Sequence, residues 1–337
     1  MDREHQRNLT GIVAESARIL REYWKLFLSL SSTLVLPLCF MILAHHLVSG
    51  PLIHKIRSDE RFIESQEGSS AAEEKHESDL EGEWTRLLLF FASYLLFVLA
   101  FSLLSTAAIV YSVACMYTER SVSYTKVVSV VPMVWKRLLI TFLWVFLIIA
   151  AYHFVSIFSI HMAVRWLADS NSFIFVSTLV ALVSIFVSAH VYISCIWHLA
   201  SVISVLEESF GISALKKSFH LIKGNQRLGF SLFFLYLISV GVVGLLFHAY
   251  VVHHHAHDEE DMGAHGSSLA GRVLLGALLV AILTFVTLFG MLAQTVFYFS
   301  CKAFHHEQID WMALSEHLGA YMGEYVPLKS AIQMEPV

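Results

Sequence analysis

Residues 173–206 read FIFVSTLVALVSIFVSAHVYISCIWHLASVISVL, with no Asp, Glu, Lys or Arg among them. A bilayer core about 30 Å thick requires about 20 apolar residues of α-helix, so this stretch is long enough to cross a membrane. Water cannot bond the backbone at that depth, and a helix satisfies every N–H and C=O group within one segment. The stretch therefore predicts a membrane-spanning helix.

Five further stretches share this length and apolar composition. The six predicted spans lie at residues 24–48, 87–117, 138–161, 173–206, 228–252 and 270–303, and Pro37 is expected to interrupt the first. The chain is 57% hydrophobic and only 15% charged, whereas soluble domains are about 25% charged. The alternation typical of a membrane β-barrel is absent. We predict an all-α fold, a single polytopic membrane domain covering residues 1–337.

Basic residues are distributed unequally between the two sides of these spans. The N-terminal segment, the segments after spans two and four, and the C-terminal tail, with the span ends beside them, carry 15 of the 22 Lys and Arg residues. Cytosolic segments are enriched in Lys and Arg near the ends of spans. Both termini are therefore predicted to be cytosolic, and the more acidic loops to be lumenal.

Two lumenal loops and three cytosolic stretches stand out. The loop at residues 49–86 is rich in glutamate and, because it can bury little apolar surface, we expect part of it to be flexible. A second loop, at residues 253–268, is rich in histidine. Amphipathic stretches follow the even spans, at residues 124–134, 212–222 and 309–322. They are typical of short helices at the membrane interface, with turns that pack under the bundle as the alternative.

Four carboxylates precede span two: Glu77, Asp79, Glu81 and Glu83. In a symmetric oligomer they would form rings of negative charge at a lumenal mouth, which concentrate cations and repel anions. On a monomer they would be a solvated acidic loop. The sequence thus predicts a cation-entry site that depends on assembly.

Rows of small residues follow one face of two spans. The rows are Ser102, Ser105, Thr106 and Ser112 on span two, and Ser177, Ala181, Ser184 and Ser188 on span four. Helix–helix packing explains such rows without a pore. A pore lining is the alternative for either row, and the span-two row is our candidate lining.

Five polar side chains at membrane depth need a hydrogen-bond partner: His153, His190, His198, His248 and Gln294. Polar groups at this depth usually face other helices or a water-filled path. We expect interhelical hydrogen bonds at these positions.

The lumenal histidine loop contains His253, His254, His255 and His257, followed by the acidic residues 258–261. Imidazole and carboxylate groups are ligands for divalent metals, but no fixed ligand spacing marks a site, and the identity of any metal stays open. A surface charge that changes with pH is the other interpretation, since imidazole titrates near neutrality.

Several classes of function lack support in the sequence. The four cysteines, Cys39, Cys115, Cys195 and Cys301, all fall in predicted spans and are expected to be packing residues rather than a disulfide framework. No nucleophile elbow, zinc-protease motif or P-loop is present, so we expect no enzyme. No basic patch with interleaved aromatic residues indicates a nucleic-acid partner.

Three stretches together resemble a plant-specific family of six-span membrane proteins, often labelled polyadenylate-binding-protein-binding proteins. The first stretch is residues 134–138 (VWKRL), before span three. The second is residues 206–211 (LEESFG), with 214–218 and 221–224. The third is residues 294–301, with 314–329 in the tail. The resemblance covers most of the chain from span two onward and leaves out the lumenal loops.

The resemblance extends to the clubroot-resistance channels related to this family. It implies a homopentameric, calcium-permeable cation channel of the endoplasmic reticulum membrane that acts in plant defense. Its partners would be membrane lipids and other copies of the chain, with calcium as a permeant ion and no cofactor. A non-conducting adaptor that recruits partners at the cytosolic face is the alternative. A metal-dependent lipid enzyme based on the histidine loop is a third hypothesis.

Overall fold

The computed structural model describes residues 8–65, 70–118, 122–167, 172–252 and 266–305. Within these residues the chain is built of helices, with no β-strand. The α-helices are α1 (Leu9–Glu22), α2 (Trp24–Leu30), α3 (Leu36–Ser65), α4 (Ser70–Tyr117), α5 (Tyr124–Leu167), α6 (Ser172–Leu206), α7 (Ile212–Leu221), α8 (Gln226–Phe247) and α9 (Gly266–Phe304). Two π-helical segments, Ser31–Val35 and His248–Val252, adjoin α3 and α8.

Six helical stretches are long and apolar enough to cross a membrane. They are Trp24–Gly50, Gly82–Tyr117, Tyr124–Leu167, Ser172–Leu206, Gln226–Val251 and Ala270–Phe304. Five of them contain a whole predicted span, and Gln226–Val251 contains all of the fifth span except Val252. The chain is thus a multi-pass membrane protein with an all-α fold, as its composition predicts.

The first span contains a π-helical segment next to Pro37. The π-helical segment Ser31–Val35 joins α2 to α3 directly before this proline. Proline has no backbone N–H and crowds the carbonyl four residues earlier, and a π turn is one way for a helix to absorb such a defect. The interruption predicted at Pro37 is therefore a local widening into a π-helical turn, and the helix continues beyond it.

The predicted first lumenal loop is helical in its described residues. Helix α3 extends to Ser65 and α4 begins at Ser70. Alanine, leucine, glutamate and lysine in this region are strong helix formers, and extending an existing helix avoids the cost of a new nucleus. The flexibility expected for part of this loop stays a prediction.

The chain divides into two compact units. The first comprises Met1–Phe27, Thr106–Leu235 and Phe289–Val337. Its core contains Tyr111, Leu138, Ile203 and Leu292, each almost fully buried. In this unit α5 packs along α6, with the ring of Phe142 edge-on to Trp197 at 5.6 Å between centroids.

The second unit comprises Leu28–Ser105 and Tyr236–Leu288. In it the thiol of Cys39 donates to the Thr287 hydroxyl, with 3.5 Å between Sγ and Oγ1. The His45 ring stacks on Tyr94, with centroids 4.6 Å apart. All four cysteines of the chain are free and buried, which confirms their interpretation as packing residues.

The amphipathic stretches have different outcomes. Residues 124–134 are the first turns of α5, continuous with span three and buried through Val127, Val130, Val131 and Val134, so they are not a separate interfacial helix. Residues 212–221 form the separate helix α7. The stretch 309–322 lies outside the described residues.

Candidate functional site

The acidic row before span two lies on a helix. Glu77, Asp79, Glu81 and Glu83 all belong to α4, which continues without a break into the span. The Glu83 side chain is buried, with 4% of its surface exposed. The four positions thus belong to one continuous helix that leads into span two.

The candidate pore-lining residues of span two lie inside the chain. Ser105, Thr106 and Ser112 are buried, and Ser102 is half-buried. The Ser112 hydroxyl donates to the Ala108 carbonyl at 2.7 Å. This burial matches helix packing within the chain, and a pore lined by this row would have to pass through the chain itself.

The row on span four has the opposite environment. Ser177, Ala181, Ser184 and Ser188 are all exposed on α6. The three hydroxyls donate to carbonyls of their own helix, at 2.8 Å for Ser184 to Val180. The row is therefore open to lipid or to another protein chain.

The histidine loop, with His253, His254, His255 and His257, lies outside the described residues, so the choice between metal binding and a pH-sensitive charge stays a prediction. Among the residues that the structure does describe, no group of three or more His, Cys, Asp or Glu side chains could hold a metal ion.

One of the predicted intramembrane contacts joins α6 to α9. His198 Nδ1 lies 3.1 Å from Gln294 Oε1, and because that oxygen only accepts, Nδ1 carries the proton. The Gln294 amide donates to the His198 carbonyl and, at 2.9 Å, to the Ser201 hydroxyl. The expected interhelical hydrogen bonds are thus found for His198 and Gln294.

A second pair of histidines lies between α5 and α6. The rings of His153 and His190 have centroids 5.4 Å apart. Beside them the Tyr152 hydroxyl donates to the Phe186 carbonyl. His190 Nδ1 is buried and has no hydrogen-bond partner among the described residues. His248 lies in the second π-helical segment.

A polar cluster at the end of α6 was not predicted from the sequence. It surrounds Glu207, directly after α6, and we call Glu207, Lys217, Tyr298 and Lys302 the Glu207 cluster. Lys217 Nζ lies 2.6 Å from Glu207 Oε2, while Lys302 Nζ at 2.8 Å and the Tyr298 hydroxyl at 2.6 Å contact Oε1. One carboxylate therefore ties the end of α6 to α7 and α9.

The turn between α6 and α7 is held from α5. The Arg137 guanidinium donates to the Glu207 carbonyl and lies 5.7 Å from the Phe210 ring centroid. The Thr141 hydroxyl accepts from the Gly211 N–H at 2.7 Å and also bonds the Ser204 hydroxyl at 2.7 Å. Gly211 has φ 63° and ψ −133°, a conformation open essentially to glycine.

The electrostatics of Glu207 follow from its partners. Burial alone disfavours the charged carboxylate and raises the pKa of Glu207. Hydrogen bonds from Lys217, Lys302 and Tyr298 outweigh burial, so the pKa lies below its ordinary value of 4.5. Glu207 is consequently ionised at neutral pH, and the cluster holds two cations against one anion.

Helix α1 joins the same unit through another carboxylate. Glu15 accepts from Arg18 at 2.6 Å and from the Tyr117 hydroxyl of α4 at 3.1 Å. The Tyr117 ring packs edge-on against Phe299 of α9, with centroids 4.9 Å apart. The N-terminal amphipathic helix is thus anchored to the end of α4, which in turn packs against α9.

The sequence indicates a polar group at the position of Glu207, but residue spacing does not identify its partners. Similar polar residues directly follow each even-numbered span, and Glu207 is one of those that follow span four. Lys302 lies near the end of span six, where a lysine is expected to reach toward the polar interface. Which of these polar residues contacts which lysine depends on which helices are neighbours in the fold.

A family model described as "Domain of unknown function (DUF8558)" matches residues 1–337. The chain belongs to this family. Because the match covers the whole chain, DUF8558 includes both of the predicted lumenal loops as well as the three stretches quoted for the plant-family resemblance. No curated protein and no solved structure matches the chain.

Within this DUF8558 chain, parts of those three stretches converge on the Glu207 cluster. Arg137 comes from the first stretch, Glu207 and Lys217 from the second, and Tyr298 from the third. Gly224, at the end of the second stretch, has φ 93° and lies against the Phe304 ring, where a Cβ atom would approach within 2.3 Å. Each of the three stretches thus contributes residues that join helix ends.

Proposed function

We propose that this chain is the subunit of an oligomeric, calcium-permeable cation channel. In this proposal the channel lies in the endoplasmic reticulum membrane, assembles as a homopentamer and releases lumenal calcium during plant immune signalling. The stoichiometry, the compartment and the biological setting rest on the resemblance to the clubroot-resistance channels. The channel class rests on the helices described above, and no catalytic activity is assigned.

The observation that carries the proposal is the continuity of α4. Glu77, Asp79 and Glu81 lie on the same helix as span two, within a few turns of its start at Gly82. A carboxylate on a continuous helix keeps its distance from the membrane, whereas one on a loose loop does not. Repeated around an axis, such helices would hold negative charge at the lumenal end of a pore, where it attracts cations.

The exposed row on α6 supports the oligomeric part of the proposal. Ser177, Ala181, Ser184 and Ser188 recur on one face and are exposed in the single chain. Small residues allow helices of different chains to approach closely within a membrane. A neighbouring subunit that covers this face would bury apolar side chains beside it, such as Val180 and Ile185, which are 59% and 64% exposed.

Conduction by purified protein in planar bilayers tests the proposal. We expect cation-selective currents with calcium permeability. A triple variant, Glu77→Gln, Asp79→Asn and Glu81→Gln, should conduct less and prefer calcium less strongly. The difference should be greatest at low ionic strength, because exposed charges are screened within about 10 Å at physiological salt.

Glu208→Gln is a matched control, since it removes an exposed carboxylate from the predicted cytosolic side. It should leave the calcium preference unchanged. If the intact oligomer passes no current, the channel assignment fails and the adaptor alternative gains support. If the triple variant conducts calcium like the wild type in low salt, the acidic row is not the mouth.

A further inference from the structure

A groove opens between α5, α6 and α7 in the first compact unit. Its volume is about 420 Å³, within the range of about 300–1,000 Å³ typical of ligand pockets. Its walls are largely apolar, both aliphatic and aromatic, and include Trp144 and Ile148 of α5, Trp197 of α6, and Leu215 and Phe219 of α7. Such walls exclude a polar ligand and fit a hydrocarbon chain.

The groove exists because α7 packs against α6 through its small residues. Ala214 and Ser218 are fully buried, and the Ser218 hydroxyl donates to the Ile196 carbonyl at 2.6 Å. The large apolar side chains Ile212 and Phe219 are instead 43% and 39% exposed. Helix α7 therefore packs against the bundle and still presents an apolar row outward, and its position at the membrane interface stays a prediction.

Basic side chains border the groove. Lys216 and His220 contribute to its lining; Lys216 is exposed, and no ion pair holds it within the part of the chain that the structure describes. Lys223 Nζ lies 4.7 Å from the centroid of the Phe219 ring. No Asp or Glu occurs between Glu208 and Asp258, so this segment supplies no carboxylate to neutralise the rim.

The position of the groove along the chain matches its chemistry. It lies where α7 runs back along α6, about two to four turns before α6 ends at Leu206, in the part of α6 nearer the side that the Lys and Arg distribution assigns to the cytosol. Cytosolic leaflets are rich in anionic lipids, which attract basic residues near the membrane surface. An apolar groove with a basic rim at this level is complementary to both parts of such a lipid.

We propose that this groove binds an anionic phospholipid of the cytosolic leaflet. One acyl chain lies between Trp144, Trp197 and Phe219, and the phosphate lies at Lys216 and His220. The negative headgroup provides the selectivity, because a zwitterionic lipid would bring its own cation to the rim. The site does not depend on conduction, so a non-conducting chain would bind the lipid equally well.

Tryptophan quenching tests the site on the full-length protein in neutral detergent. The chain has seven tryptophans, and two of them, Trp144 and Trp197, line the groove. Phosphatidylserine with brominated acyl chains should quench their fluorescence at lower concentration than brominated phosphatidylcholine does. Lys216→Gln should weaken the phosphatidylserine response about fivefold, the effect of about one interfacial charge, and leave the phosphatidylcholine response unchanged.

Three further variants control this result. Lys136→Gln removes an exposed lysine of α5 that does not line the groove, and should behave like the wild type. Lys216→Arg should keep the headgroup preference. Replacement of both Trp144 and Trp197 by phenylalanine should abolish the headgroup-dependent quenching. Equal quenching by the two lipids, an effect of Lys136→Gln equal to that of Lys216→Gln, or a preference that survives the double replacement would overturn the assignment.

Discussion

The two halves of α6 have similar apolar sequences and opposite environments. No residue is buried between 172 and 190, whereas Val191, Ser194, Cys195 and all of residues 199–206 are buried. The first half presents the row of small residues, and the second half ends at Glu207. Both halves are apolar enough to enter a membrane. The second half, which ends beside the polar contacts of Glu207, is the one that packs within its own chain.

Loss of Glu207 should have the largest effect on the buried half. Glu207→Ala leaves Lys217 and Lys302 without their carboxylate, and breaking a mostly buried ion pair costs several kcal/mol. Because both lysines are partly exposed, we expect a loss of about 2–3 kcal/mol in the free energy of unfolding. Denaturant unfolding in detergent, followed by circular dichroism, measures this loss.

Glu208→Ala controls for the removal of a carboxylate at the same turn. Glu208 is exposed, so the change should stay within about 0.5 kcal/mol. Equal losses for the two variants would show that the Glu207 cluster adds no particular stability to this half.

The Glu207 cluster should also respond to acid. Because the folded-state pKa of Glu207 lies below its ordinary value of 4.5, its contribution is fully present above that pH. The contribution disappears as the pH falls through the folded-state value. The wild type should therefore lose more stability below pH 4.5 than Glu207→Gln does, and parallel pH curves for the two proteins would contradict this.

Gly211→Ala should have the next largest effect. The residue has positive φ, and an added Cβ would lie 3.3 Å from Ile140 Cγ2 and 3.4 Å from Trp144 Cδ1. Strain of this kind costs about 1–3 kcal/mol, and we expect about 2 kcal/mol from the same unfolding measurement. Gly244→Ala, whose Cβ would contact nothing, is the matched control and should be neutral or slightly stabilising.

A smaller effect is expected inside the membrane. Gln294→Leu removes the amide that bonds Ser201 and the His198 carbonyl, and interhelical hydrogen bonds in membranes contribute about 0.6–1.7 kcal/mol. We expect a loss of about 1 kcal/mol in the free energy of unfolding. A loss no greater than that of the exposed substitution Gln226→Leu would show that the bridge between α6 and α9 contributes nothing.

The exposed half should show the smallest change in stability. Ser184→Leu enlarges a side chain that faces outward, so the free energy of unfolding should change by less than about 0.5 kcal/mol. If the row of small residues forms a contact between subunits, the same substitution should dissociate the oligomer, as measured by the mass of the detergent-solubilised particle. An unchanged particle mass would indicate that this half faces lipid.

Much of the fold follows from composition, because apolar length and backbone hydrogen bonding leave helices as the solution for each span. The stretch at residues 212–222 was identifiable as a helix from its apolar spacing. The environment of α6 was not, since residues 172–190 and 191–206 are alike in hydropathy and differ only in their neighbours.

The candidate sites were less accessible to sequence reasoning. Interhelical hydrogen bonds were expected for His198 and for Gln294, but the pairing of these two residues with each other was not. Glu207 and Lys302 are far apart in sequence, and their pairing follows from the packing of α6 and α9. The helices that extend into the acidic loop, to Ser65 and from Ser70, were not predicted, because its charge pattern carries no apolar periodicity.

The four buried thiols give the molecule built-in reporters of its own motions. Each cysteine reacts with a maleimide only when its surroundings open, so its alkylation rate measures the frequency of that local opening. Cys115, Cys195 and Cys301 belong to the first compact unit and Cys39 to the second. Rates that agree for all four would indicate one cooperative unfolding event. A faster rate at Cys39 would show that the second unit opens while the first stays closed.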